Sequence, residues 1–289
     1  MASTTFAAPA ASRFARRRVT VTAVLTWTLA GLFAATLLAV LASVIVTALS
    51  TSWGGSWLPS GYTLSWFRKA WDTPGLANSI GVTFEVAVAD VAIALLAGVP
   101  AGYVLARKKF PGRNVIMLFA LLPVILPPLT YAVQIAALMY RLGIGGTLLS
   151  VILVNLVPIL PLVILITVPF VEQISPDVEH AAKVFGADNL RLFTRVLVPL
   201  LVPGIVAAGV LSLVRVLGSF ELTFFVSGAQ TQTLVVTIFG ALSDPGGPPA
   251  GLTAAMTVFY MAIALLGLMI SLWFANPAQT LAQPARHTI

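Results

Sequence analysis

Four ionisable side chains, Glu85, Asp90, Arg215 and Glu221, lie inside long apolar stretches of a 289-residue chain. Such a group at a bilayer centre costs at least about 2.5–3.5 kcal/mol on insertion scales, so it faces protein or a water-filled cavity. Arg215 and Glu221 are six residues apart, nearly two turns, and would point to roughly one side of a continuous helix. The chemistry on offer is recognition of a polar solute. Glu221 would stand beside a path, Arg215 nearer one end of it, with Ser219, Phe220 and Tyr131 as further lining candidates. A structural alternative pairs Arg215 with Glu85 or Asp90, or lets a side chain reach an interface. For Asp90, pairing between helices is the expected role. Bond-making chemistry lacks its parts. The histidines, His180 and His287, belong to no metal-ligand cluster or serine–histidine–aspartate set, cysteine is absent, and no Walker-type phosphate loop occurs.

A second constellation is polar: Ser175-Pro176-Asp177-Val178-Glu179-His180-Ala181-Ala182-Lys183-Val184-Phe185-Gly186, followed by Val196-Leu197-Val198-Pro199. It predicts a short helix. Ser175 can cap it, Pro176 suits its first position, Asp177 and Glu179 favour its positive end, and Gly186 can stop it. Val178, Ala181, Ala182 and Phe185 recur at i, i+3, i+4 and i+7, forming a small apolar stripe. Such a stripe could rest on lipid or lie in another protein's groove.

The elements that must hold these groups are membrane helices. Hydrophobic residues make up 59% of the chain and charged residues 9%, with mean hydropathy +1.01. A soluble domain carries roughly 25% charged residues, and a span needs ~20 apolar ones. Six spans are expected, at about Val21–Leu49, Ser79–Leu105, Val115–Tyr140, Thr147–Val171, Leu200–Val226 and Gly251–Phe274. The first follows Arg13, Arg16, Arg17 and Arg18 but is too long for a signal peptide, so it reads as retained. Around it stand a 1–20 leading segment, a 50–78 connection, a 79–274 core containing a 172–199 loop, and a 275–289 tail.

The positive-inside rule orients the chain. With the N-terminus cytoplasmic, that side gains twelve of the basic residues: the four arginines above, Arg107, Lys108, Lys109, Arg113, Lys183, Arg191, Arg195 and Arg286. The other side holds three, Arg68, Lys69 and Arg141. Both termini and the polar insert are therefore expected in the cytoplasm. The net charge of +7 then serves the membrane surface rather than nucleic acid. Trp53, Trp57, Trp66 and Trp71 suit the opposite interface, where Leu64–Trp71 should form a short surface helix. Pro123, Pro127 and Pro128 interrupt the third span and Pro158 and Pro161 the fourth, each a kink or hinge. Pro245-Gly246-Gly247-Pro248-Pro249 marks a loop before the sixth.

The insert resembles the "EAA" loop of permease subunits of bacterial binding-protein-dependent ABC importers. Ala181, Ala182 and Gly186 match its alanines and glycine, and Val196-Leu197-Val198-Pro199 its ending. His180 stands where that family has glutamate, and Glu179 immediately before it could serve from a rotated position. A histidine is no fixed carboxylate near neutral pH. Leu76-Ala77-Asn78-Ser79-Ile80 looks like the family's start of the core, and Ala101–Arg107 with Phe110-Pro111-Gly112 like its first cytoplasmic turn.

The resemblance implies an all-α, six-span type I importer permease in a bacterial inner membrane. It also implies a second permease, more often a different chain, and an extracytoplasmic binding protein. Separate ATPase subunits would hold ATP and Mg²⁺; this chain would hold no cofactor and be no enzyme itself. Val178, Glu179, His180, Ala181, Ala182, Phe185 and Gly186 would be the ATPase-coupling residues. Gly218–Phe225 with Gln230–Leu234 looks most like permeases of the spermidine/putrescine type, and acidic Glu221 suits a polyamine-like cation. Sugar, ferric iron or phosphonate permeases are the alternatives. A stand-alone secondary transporter or channel is the rival of another class.

Overall fold

A computed structural model describes residues 21–53 and 58–281, with side chains at 23–53 and 58–273. The arginines at 13, 16, 17, 18 and 286, Trp57, His287, the 1–20 segment and the last eight tail residues lie outside them. Twelve α-helices are described: α1 (Val21–Leu49), α2 (Ser65–Trp71), α3 (Leu76–Arg107), α4 (Arg113–Ile125), α5 (Leu129–Arg141) and α6 (Leu148–Glu172), then α7 (Pro176–Val184), α8 (Asn189–Arg191), α9 (Val198–Leu217), α10 (Glu221–Val226), α11 (Leu234–Ser243) and α12 (Ala250–Leu281). A π-helical stretch, Leu192–Leu197, runs between α8 and α9. Extended pairing among these residues is limited to two bridges, Ser50 with Tyr62 and Gly146 with Ser227.

The chain divides into two compact units, Met1–Val44 and Ile45–Ile289. The described part of the first is residues 21–44 of helix α1, whose described side chains are almost all exposed, as suits a helix solvated by lipid. In the second unit α3, α6 and α9 build the core, with Val86, Val154, Val163, Leu201 and Ala208 at its centre. Small residues allow α3 and α6 to approach. A Cβ at Gly98 would lie 2.7 Å from Val163, and one at Gly102 the same distance from Thr167. Helix pairs in membranes depend on such close contact, because lipid is as apolar as the helices. A second cluster at the start of α3 joins Leu76 to Ala70, Leu234 and Met256. There the expected short helix, α2, lays Phe67 against Phe259 of α12, and Trp66 Nε1 donates to the Ser50 carbonyl at 2.7 Å.

Among the described residues, five helices are long and apolar enough to cross a membrane, or six when one bent pair counts as a span. The third expected span is that pair: α4 and α5 meet at 101° rather than forming one kinked helix over Val115–Tyr140. Pro127 and Pro128 supply no amide donors, and the Leu126 backbone before them is extended (φ −69°, ψ 138°). The fifth expected span is also corrected. It ends at Leu217, and Gly218–Phe220 separate it from α10, so Val226 belongs to a different helix. The sixth runs on to Leu281, seven residues past Phe274, so helix extends into the expected tail.

Candidate functional site

The 172–199 loop is built on local chemistry. Ser175 Oγ accepts from the Asp177 amide at 3.3 Å, Pro176 opens α7, and Gly186 closes the turn at φ +83°. Asp188 Oδ1 then accepts from the Arg191 amide at 2.7 Å, starting the next helical run. Glu179 points inward, its side chain 10% exposed. Arg107 Nε, at the end of α3, donates to Glu179 Oε1 at 2.6 Å, and Tyr103 Oη donates to Oε2 at 2.8 Å. Arg107 also donates to the Ile174 carbonyl at 2.5 Å, just before the cap. One guanidinium thus fixes both the start of α7 and its buried acid, and a charge so enclosed is costly unless paired this way.

His180, at the family's glutamate position, is exposed, so the inward place belongs to Glu179. The expected apolar stripe is divided. Ala182 packs on the core, while Val178, Ala181 and Phe185 face outward. Phe185 is 90% exposed, Val184 86% and Leu190 72%. A cavity of about 470 Å³ opens beside α7, between it, the end of α3 and the Asn189–Leu192 stretch. Lys108, His180 and Lys183 line it alongside the Arg107–Glu179 pair. Arg113 ties the basic turn down separately, donating to the Leu105 carbonyl at 2.5 Å and to Glu172 Oε1 at 3.3 Å.

The second candidate region is the break between α9 and α10. Tyr260 Oη of α12 donates to the Leu217 carbonyl at 2.6 Å, satisfying one group freed where α9 ends. Asn155, 1% exposed on α6, bridges the break: it accepts from Ser219 Oγ at 2.5 Å and donates to Thr223 Oγ1 at 3.2 Å. Phe220 packs at a tilt against Phe239 of α11, with ring centroids 4.6 Å apart. Tyr131 feels both Arg215 and Glu221 electrostatically, so three of the expected path residues share one locality despite coming from α5, α9 and α10. Arg215 and Glu221 are each partly buried.

The structural pairings expected for these charges do not form. Asp90 is fully buried and neither carboxyl oxygen has a hydrogen-bond partner. Glu85 is exposed, and Arg215 makes no ion pair with either among the described residues. Arg215, near the end of α9, has Tyr131 of α5 in its surroundings instead. No group of three or more metal-ligating side chains occurs among the described residues.

Asn155, Tyr103 and Tyr260 escaped the sequence reading. A single asparagine inside an apolar stretch was a usable sign, because a buried amide needs partners. The start of the core is pinned in the same way: Asn78 donates to the Gln230 carbonyl at 2.9 Å, and Thr83 Oγ1 accepts from the Leu234 amide at 2.8 Å.

Residues 98–276 match the protein family described as "Binding-protein-dependent transport system inner membrane component". The chain is 29% identical over 218 residues to the molybdenum transport system permease protein ModB of Haemophilus influenzae, covering 70% of this chain and 94% of that one. It is 30% identical over 212 residues to the sulfoquinovosyl glycerol transport system permease protein SmoH of Agrobacterium fabrum, covering 73% and 74%. Its fold is shared with a chain of a bacterial ABC transporter that imports the acidic polysaccharide alginate (TM-score 0.72, 17% identity, 89% of this chain and 97% of the other).

Proposed function

Because the chain belongs to the family of binding-protein-dependent transport system inner membrane components, we propose that α7 is the element through which a separate ATPase drives a solute path in this permease. One observation carries the reading. Glu179 is locked inward on Arg107 and Tyr103, so the helix is firmly attached, yet it presents Val178, Val184 and Phe185 to the outside. Exposed apolar groups on a rigid, polar-capped helix await a protein groove. The ATPase supplies ATP and Mg²⁺ chemistry, a second permease completes the path, and an extracytoplasmic binding protein delivers the solute. The basic asymmetry supports a cytoplasmic position for α7 and both termini.

The test is co-purification of the permease with an ATP-hydrolysing subunit. Phe185→Ser should release the ATPase while the permease still inserts, because Phe185 touches almost nothing in its own chain. Robust transport by the isolated permease in liposomes without ATPase would instead establish the stand-alone transporter reading.

For the solute, Tyr131, Ser219, Phe220, Arg215 and Glu221 line the path. The polyamine-like cation reading rests on Glu221 and on the likeness of Gly218–Phe225 and Gln230–Leu234 to spermidine/putrescine-type permeases, whereas the relatives named above are named for other solutes. Arg215 beside the same tyrosine offers a positive counterpart, so the path suits a small hydrophilic solute of either charge.

A further inference from the structure

The cavity beside α7 has an unbalanced charge. Glu179 is the one acid on its wall, and it is neutralised by Arg107 at 2.6 Å. Lys108 and Lys183 line the same cavity, both exposed and both without an acidic partner among the described residues. His180 lines the same wall. Next along the chain lie the exposed apolar Val184 and Phe185, and Leu190 follows the cavity's Asn189. A groove that closes over the end of α7 meets Lys183, which directly precedes that apolar pair, and with it the cavity shared with Lys108. Removing two ammonium groups from water without a counter-charge is costly, and a matching anion recovers that cost.

We infer that the docked ATPase subunit places an aspartate or glutamate side chain in this cavity, against Lys108 and Lys183. The inference rests on the docking role of α7 proposed above. It adds the polarity of the contact: basic on the permease, acidic on the ATPase. A free phosphate-like anion would also find the lysines attractive. The protein carboxylate is favoured because the cavity is continuous along the chain with the apolar surface that a partner would seal, and charge complementarity there selects the right partner.

The test uses the intact permease–ATPase complex in nanodiscs. A zero-length carbodiimide joins an amine to a carboxylate only where the two touch, and peptide mass spectrometry then identifies the pair. The expected product joins Lys108 or Lys183 to one acidic residue of the ATPase. Reversing both lysines (Lys108→Glu with Lys183→Glu) should weaken ATPase binding by about tenfold or more at low salt, since like charges then face each other. Changing the identified acid to lysine should restore it, and Lys183→Arg should bind normally.

Two results would overturn the inference. One is an intact complex in which Lys109 is modified but neither Lys108 nor Lys183 is joined to the ATPase. The other is loss of the cross-link on adding inorganic phosphate while the complex stays whole, which identifies a small anion as the occupant. If Phe185→Ser leaves the complex intact, the docking role itself fails, an outcome separate from either of these.

Discussion

The end of α3 and the α9–α10 break both bring polar side chains from distant parts of the chain together, but they satisfy them in opposite ways. At the end of α3, two buried full charges meet at 2.6 Å, and the remaining hydrogen-bonding capacity goes to Tyr103 and the Ile174 carbonyl. Helix α7 is therefore fastened at a single, strong point. At the break the hydrogen bonds join neutral groups, Asn155 to Ser219 and Thr223, while Arg215 and Glu221 share only the neighbourhood of Tyr131. Neutral bonds exchange readily with water or solute, and a paired buried charge does not. The first arrangement suits a lever that transmits force, and the second a path that must re-form around its cargo.

Removing a partner from the strong point should have the largest effect. Glu179→Gln leaves Arg107 enclosed without its counter-charge, which costs about 3–5 kcal/mol in buried pairs. Purified Glu179→Gln permease should show a markedly lower thermal midpoint, and substrate-stimulated ATP hydrolysis by its complex should be lost. Unchanged stability together with unchanged hydrolysis would show that α7 is held by something other than this pair.

The corresponding cut at the break is Asn155→Leu. It strands Ser219 and Thr223, and an unmade buried hydrogen bond costs about 1–3 kcal/mol. Transport should fall while the ATPase still binds α7, because the Asn155 amide bonds Ser219 and Thr223 at the break and not α7. If ATPase binding fell in parallel with transport, the two regions would be one cooperative unit and the contrast between them would not hold.

These two regions were not equally legible in the sequence. The α7 helix was readable because its signals are local: a serine cap, a proline at the first position and a glycine at the turn all act within a dozen residues. That Glu179 rather than His180 turns inward was not readable, because it depends on Arg107 arriving from another helix. At the break, the stretch from Leu200 to Val226 read as one span, because Arg215, Gly218, Ser219 and Glu221 are too few to lower its apolar character. Composition reports what lipid tolerates, and an apolar run reads alike whether the backbone continues or turns. The break depends on Asn155 and Tyr260 from α6 and α12 accepting and donating to it, partners that no local window contains. The two prolines at Pro127-Pro128 did mark the third span, but their count could not distinguish a kink from the 101° turn observed.

A milder change tests how stiff the lever must be. Gly186 adopts φ +83° with nothing within 4 Å of a Cβ built there, so Gly186→Ala meets no clash and feels backbone cost alone. That cost is about 1–2 kcal/mol for an L-residue in left-handed geometry, and asparagine tolerates it better. Stimulated hydrolysis should drop with alanine and recover in Gly186→Asn. Equal activity in both would mean that the turn after α7 can relax without loosening the contact.

The smallest expected effect concerns charge selection at the break. Glu221→Gln keeps the size and hydrogen-bonding reach of the side chain and removes only its negative charge, and no buried ion pair depends on that charge. The fold should therefore be unaffected. What changes is the field at Tyr131, where Arg215 is left unopposed. If the cargo is cationic, uptake by the reconstituted importer should fall by several-fold, because a positive solute then passes an unbalanced guanidinium. If the cargo is an oxyanion, the same variant should transport equally well or better, and Arg215→Gln should be the damaging change. Measured side by side at two salt concentrations, the pair assigns the sign of the solute, and equal insensitivity in both would remove Arg215 and Glu221 from the path.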